Sequence, residues 1–410
     1  MSKNKTLLSN TISLFILKGS DYILPLILLP YLVRVLGIEY FGLLAFATAT
    51  ISFLRGVVAY GFDLSGTQQI ATHINNHDKL IRIFSAILIV KFLLATLMFF
   101  ILVFLLLFID KFHIYWEVYL FTYLIILGDV FFPAWYFQGI EKMKIITYLR
   151  LSYKLIFVAS VLLFVNQQHD YVLVPLFDSI GAIVAGAISL YIVFKKYNIK
   201  LILPSYSEVM FQFKNGWHIF LSQISVLMYT SINTFLLGVL TTNEAVGFYS
   251  LAHKIYLAIR GLSGPVIQAL FPFLSKLYNK NKSDYYQKTK KISIIFFSIL
   301  LLFSLITYMN SSYIVRLVSG NQLVESIAVL EILVFAIPFA IGSFYSTLLV
   351  IKSEDKILLK ITFISMLVNL VLVFPSIYLF GIYGLAWQFV IVQIIQYILQ
   401  IKYNIDIWRN

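Results

Sequence analysis

The chain has 410 residues, of which 60% are hydrophobic and only 12% charged, with a mean hydropathy of +0.90. A soluble domain is closer to half apolar and a quarter charged, so this composition, spread along the whole chain, excludes an ordinary soluble protein. The formal net charge is +13 and there are no cysteines, which rules out disulfides and thiolate metal sites.

A helix needs about 20 apolar residues to cross about 30 Å of hydrocarbon. Twelve segments meet that length: 10–33, 40–62, 81–109, 116–138, 145–165, 172–194, 215–239, 246–274, 292–313, 326–350, 358–379 and 383–403. They must be helices, because lipid offers the backbone no hydrogen-bond partner. The first apolar run, from Asn10, exceeds the length of a signal-peptide core, and no such peptide precedes it. With the N-terminus in the cytoplasm, 22 of the 31 Lys and Arg residues fall in cytoplasmic segments, and only Arg34, Lys111 and Arg316 fall on the other side. This asymmetry predicts both termini inside and absorbs most of the net charge. Nucleic-acid binding is therefore not expected.

A gapless shift of 205 residues aligns 10–61 with the second half. It gives the identities Asn10/Asn215, Phe15/Phe220, Ser20/Ser225, Ile27/Ile232, Leu32/Leu237, Glu39/Glu244, Gly42/Gly247, Ala47/Ala252, Arg55/Arg260 and Gly56/Gly261. A duplication of six spans keeps both halves in one orientation. The expected fold is thus an all-α polytopic membrane protein with two six-helix bundles, residues 1–200 and 201–410, related by a pseudo-two-fold along the membrane normal. A cavity is expected between them.

Six cations lie inside the apolar segments: Lys18, Arg55, Lys91, Lys154, Lys254 and Arg260. A charge at bilayer depth costs at least about 2.5–3.5 kcal/mol, so these side chains are expected to face a polar cavity with an anionic cargo. At about 1.5 Å per residue, the four in the first half fall about 12–15 Å deep, nearer the cytoplasm. Arg55 and Arg260 are the preferred phosphate partners, because a guanidinium fork binds two oxygens at once. The lysines can instead reach the headgroup region. Four acids, Asp21, Asp63, Asp129 and Asp178, sit at or near membrane depth. Lys18 and Asp21 share a helix face. The acids either neutralise the cations or, for Asp21 and Asp129, serve as ion-coupling sites. Pro25, Pro30, Pro133, Pro265, Pro272, Pro338 and Pro375 are expected to bend their spans. His73 and His77 have metal spacing but no nearby acids or thiolates, so no metal site is expected. No P-loop, cofactor motif or catalytic constellation is present.

Several runs resemble bacterial polysaccharide (O-antigen type) flippases, of the superfamily that includes the multidrug and toxin extruders. The first is Leu29-Pro30-Tyr31-Leu32-Val33-Arg34-Val35-Leu36-Gly37 with Tyr40-Phe41-Gly42. The second is Tyr60-Gly61-Phe62 with Ser65, Thr67 and Ala71. The third runs from Phe132-Pro133-Ala134-Trp135-Tyr136-Phe137-Gln138-Gly139 to Met143. Val246-Gly247-Phe248-Tyr249, the stretch from Pro265 to Lys276, Asn369, Gly381 and Gly384 complete the match. The chain has Gln68 where the family often carries Arg.

The resemblance implies a fold like that of the extruders. It also implies translocation of an undecaprenyl-pyrophosphate-linked oligosaccharide from the cytoplasmic to the outer leaflet of the bacterial inner membrane, for surface polysaccharide synthesis. Membrane lipid is the surrounding partner, and a polysaccharide polymerase and chain-length regulator are candidate protein partners. A drug/cation antiporter of the same superfamily is the alternative, disfavoured by the basic cavity. A polytopic polymerase or glycosyltransferase is disfavoured by the short outside loops.

Overall fold

The computed structural model describes the backbone of residues 3–409; the side chains of 3–18, 21, 22, 229 and 409 lie outside that description. All the described elements are helices. Nine of them are long and apolar enough to cross a membrane, or ten if Tyr206–Met228 and Ile232–Leu240 form one span. Two span candidates, Ile23–Thr72 and Asp355–Tyr403, are 50 and 49 residues long. Each covers two of the segments counted in the sequence, and each is interrupted at glycine. Gly37 takes φ 77°, ψ 171° and Gly381 takes φ 57°, ψ −136°, conformations open to glycine and costly for other residues. At Gly381 the chain turns back on itself. A Cβ on Gly384 would lie 2.1 Å from the carbonyl oxygen of Ser376, whereas eight residues of continuous helix would separate them by about 12 Å. These two breaks are thus made by glycine, while Pro25, Pro30, Pro272 and Pro375 sit inside helices.

The chain forms two compact units, residues 1–40 with 46–227, and 41–45 with 228–410. In the first unit, Trp116–Phe131 packs against Leu173–Lys196 through small residues. A Cβ on Gly128 would lie 2.7 Å from Ala182, and one on Gly186 would lie 2.7 Å from the Gly128 carbonyl. In lipid, where apolar burial drives helix association little, such close backbone contact provides the packing energy.

The second and third sequence motifs meet in this unit. Thr67 Oγ1 lies 3.2 Å from the Trp135 carbonyl and 3.1 Å from Gln138 Oε1, and Gly139 leaves room for Ile70. Phe62, Phe84, Trp135 and Phe137 form the core around them. The first motif supplies Tyr31, whose hydroxyl donates to the Val165 carbonyl at 2.8 Å. It thereby satisfies the exposed end of the Met143–Phe164 helix.

In the second unit, Asn243–Gly261 packs on Val324–Leu333, and Ser326 Oγ donates to the Phe248 carbonyl at 3.1 Å. Gly42 allows residues 41–45 to join this unit, for a Cβ there would lie 1.8 Å from the Asn243 carbonyl and 2.5 Å from the Gly247 nitrogen. Gly42 and Gly247 are partners under the 205-residue shift. Three buried amides fasten the unit internally. Asn369 Nδ2 donates to Asn233 Oδ1 (3.0 Å), Gln388 Nε2 to Asn369 Oδ1 (2.8 Å), and Asn233 Nδ2 to Gln388 Oε1 (3.3 Å). Near the C-terminus, the buried Lys352 ammonium reaches Asn404 Oδ1 at 3.2 Å and Asp406 Oδ2 at 2.7 Å.

Candidate anion site

Pro133 is the origin of the site in the first unit. In an uninterrupted helix its nitrogen would donate to the carbonyl of Asp129, but proline has no N–H. The Trp116–Phe131 helix accordingly stops, with Phe132 at φ −102°, ψ 87°, and a short helix resumes at Ala134–Gly139. The freed Asp129 carbonyl accepts from Lys91 Nζ at 3.2 Å. Lys91 is only 4% exposed; a cation at a helix C-terminus is also favoured by the helix dipole. The sequence placed Lys91 among cavity cations, whereas the structure turns it onto a helix end.

The Asp129 side chain holds Arg55. Arg55 Nε donates to Oδ2, and Nη2 donates to Oδ1 at 3.0 Å. The guanidinium side chain remains 52% exposed, the carboxylate 27%. Asp178 and Lys154, both half-buried, complete the cluster: Asp178 lies within electrostatic reach of Arg55, Lys154 and Asp129. Arg150 stacks 5.2 Å from the Phe132 ring and is also close enough to Asp129 to act on it. The sequence assigned Arg150 to a cytoplasmic segment and left it out of the site. Its spacing, one helical turn before Lys154, is the signal that could have included it.

Arg55 opens on a pocket of about 410 Å³ lined by Ser52, Arg55, Gly56, Ala59, Ser222, Gln223, Val226 and Leu227. Gly56 brings the walls together, since a Cβ there would lie 2.2 Å from Leu227 Cδ1. Ser222 and Gln223 carried no signal in the sequence. They become relevant because Ile224 and Leu227, on the same helix, pack against Gly56 near the end of Lys3–Ala59.

In the second unit, Arg260 stands in the last turn of Asn243–Gly261, near the Tyr256 hydroxyl, and Ser263 Oγ donates to its carbonyl at 2.7 Å. Arg55 stands four residues before the end of its helix and Arg260 one residue before the end of its own, so both lie toward the negative end of a helix dipole. Lys254 is largely exposed, with its ammonium 4.8 Å from the Phe41 ring centroid. The side chains of Lys18 and Asp21, and hence their expected pairing, lie outside the described residues. Asp63, which the sequence grouped with the membrane acids, is exposed in the first turn of Phe62–Thr72. His73 and His77 face the carbonyls of Gln69 (2.9 Å) and Asn198 (3.2 Å).

Long apolar helices in two compact units, with a charged cluster inside one of them, define a polytopic membrane protein. Solved structures give its fold. The chain is similar to the lipid II flippase MurJ in its inward closed conformation, with TM-score 0.72 and 14% identity, covering 97% of this chain and 87% of that one. It is equally similar to an inward-facing multidrug resistance MATE transporter of the MOP superfamily, with TM-score 0.72 and 16% identity over 95% of each chain. The fold is therefore the one these flippases and extruders share.

The chain belongs to the polysaccharide biosynthesis protein family, whose pattern matches residues 7–278. A relative in Escherichia coli strain K12, named "Putative O-antigen transporter", is 31% identical over 391 residues, covering 94% of each chain. A relative of the same name in Shigella dysenteriae is 28% identical over 396 residues, covering 96% of this chain and 98% of its own. These relatives and structural neighbours are named as transporters and flippases rather than enzymes.

Proposed function

We propose that this protein is a flippase for lipid-linked polysaccharide repeat units. Its cargo is an undecaprenyl-pyrophosphate-linked oligosaccharide, moved from the cytoplasmic to the outer leaflet of the inner membrane by alternating access. Both termini are cytoplasmic. The observation that carries this reading is Arg55, a guanidinium kept at membrane depth by Asp129 yet half open to a pocket. A membrane protein that maintains such a group has a use for a binder of anions, and phosphate suits its fork. The names of the relatives supply the polysaccharide class.

Arg55 and Arg260 are assigned to the phosphate charge, with Lys154 and Lys254 in support. Lys18 is kept in this set on its position in the sequence. Lys91 acts by holding the Asp129 end of its helix. Polysaccharide polymerase and chain-length regulator are the expected partners downstream.

The test is complementation in a bacterial strain lacking its own flippase for a matched repeat unit. The wild-type chain should restore surface polysaccharide. Arg55→Glu with Arg260→Glu should abolish it at normal membrane abundance, with lipid-linked intermediate accumulating on the cytoplasmic face. Unchanged surface polysaccharide in the double variant would reject the proposal.

A further inference from the structure

The Arg55 guanidinium carries five N–H donors. Asp129 takes one from Nε and one from Nη2. This leaves three: one on each Nη nitrogen along the terminal edge of the fork, and a second on Nη1 that points back along the side chain. The carboxylate fixes the plane of the guanidinium, and so decides which edge is offered to the pocket. A lysine at this position would present a rotating point charge instead.

The pocket around that edge contains neutral polar groups. The Ser222 and Gln223 side chains have no hydrogen-bond partner among the described residues. Ser52 Oγ donates to the Thr48 carbonyl at 2.7 Å, so its hydroxyl faces the pocket as an acceptor only. Two uncommitted donors, one committed acceptor and a fixed cationic edge converge on about 410 Å³. That volume falls within the roughly 300–1,000 Å³ of small-ligand sites. It has room for a phosphate group and the polar group attached to it, but not for a whole oligosaccharide. Val226, Leu227 and Ala59 give the remaining wall an apolar character.

We propose that this pocket is a binding subsite for a phosphate-bearing lipid headgroup, with the phosphate on the open Arg55 edge, the adjoining hydroxyl groups on Ser222 and Gln223, and Asp129 as the residue that positions Arg55. The inference rests on the flippase reading for the identity of the headgroup, a sugar diphosphate. The same chemistry would also accept a bulk anionic phospholipid. Asp129 thereby acts through Arg55, because both its oxygens are engaged, rather than as an ion-coupling carboxylate.

The experiment measures binding to purified full-length protein in nanodiscs. The probes are a short-chain polyprenyl diphosphate bearing one hexose, and short-chain phosphatidylglycerol. The variants are Arg55→Lys, Asp129→Asn, Asp129→Glu and Gln223→Leu. Arg55→Lys and Asp129→Asn should each weaken the sugar-diphosphate probe about tenfold or more. Their combination should do little further damage, because both remove the same oriented edge. Asp129→Glu should recover part of the loss. Gln223→Leu, at a half-buried position outside the ion pair, should weaken the sugar probe several-fold and leave phosphatidylglycerol unchanged.

Wild-type affinity in Asp129→Asn, or additive losses in the double variant, would overturn the positioning role. Unchanged sugar-probe binding in Gln223→Leu would overturn the subsite. Tight phosphatidylglycerol binding without sugar-diphosphate binding would identify a phospholipid site and reject the flippase cargo at this pocket. If complementation fails while the binding pattern holds, the flippase reading falls and the anion subsite stands.

Discussion

At the scale of single residues, the consequential substitution is the absence of one hydrogen atom. Pro133 withholds an N–H from the carbonyl of Asp129, and the Lys91 ammonium fills the gap. Unmade buried hydrogen bonds cost about 1–3 kcal/mol. Lys91→Met should therefore lower stability by about that amount, read as a lower thermal midpoint in detergent. Pro133→Ala restores a backbone donor at 133, so the loss caused by Lys91→Met should be smaller in that background. Equal losses in both backgrounds would separate Lys91 from Pro133. The sequence exposed Lys91, Asp129 and Pro133 one by one, as a misplaced cation, a misplaced acid and a helix breaker. Asp129 and Pro133 stand four residues apart on one span, but nothing in the sequence connects them with Lys91, which comes from another span and meets them only when the helices pack. Arg150, Ser222 and Gln223 were harder still. A serine or glutamine in an apolar helix has no sequence signature until a neighbouring helix shows what it faces.

At the scale of elements, glycines decide where helices touch and where they turn. Gly381 has open space around its Cα but a φ of 57°. Gly381→Ala should consequently cost about 1–3 kcal/mol through backbone strain alone. Gly128 has an ordinary helical backbone but no room, with Ala182 in the way. Gly128→Val should separate Trp116–Phe131 from Leu173–Lys196 and lower the amount of folded protein in the membrane. It should also displace the adjacent Asp129 and so weaken the sugar-diphosphate probe. Tm and membrane abundance measure the first effect, the nanodisc assay the second. The apolar segments themselves were legible from the sequence because the bilayer imposes a length. The fusion of neighbouring segments into 50-residue and 49-residue helical stretches was not, because a tight glycine turn interrupts the helix at one residue only. The third motif reads differently after folding. Trp135, Tyr136 and Phe137 are core residues packed on Phe84 and Ile70, so this sequence signature is mainly a packing one.

At the scale of the whole molecule, charge makes a prediction about orientation. The distribution of Lys and Arg predicts both termini in the cytoplasm, and the absence of cysteine makes this straightforward to test. Single cysteines at Lys79 and Gln322 should differ in intact cells. A membrane-impermeant maleimide should label Gln322→Cys and leave Lys79→Cys unlabelled until the membrane is opened. The reverse pattern would invert the topology.

The sequence by itself determined the solvent and the class of fold. Hydrophobic length and charge asymmetry are one-dimensional quantities, and lipid enforces them segment by segment. Tertiary structure decided which partners the described cations meet. Arg55 is oriented and half open, and Lys91 is committed to a carbonyl left unpaired by a proline on another span. Lys254 rests near an aromatic ring. The physical reason is that a charge in a membrane bundle is defined by the partner it meets, and those partners lie tens of residues away in the chain.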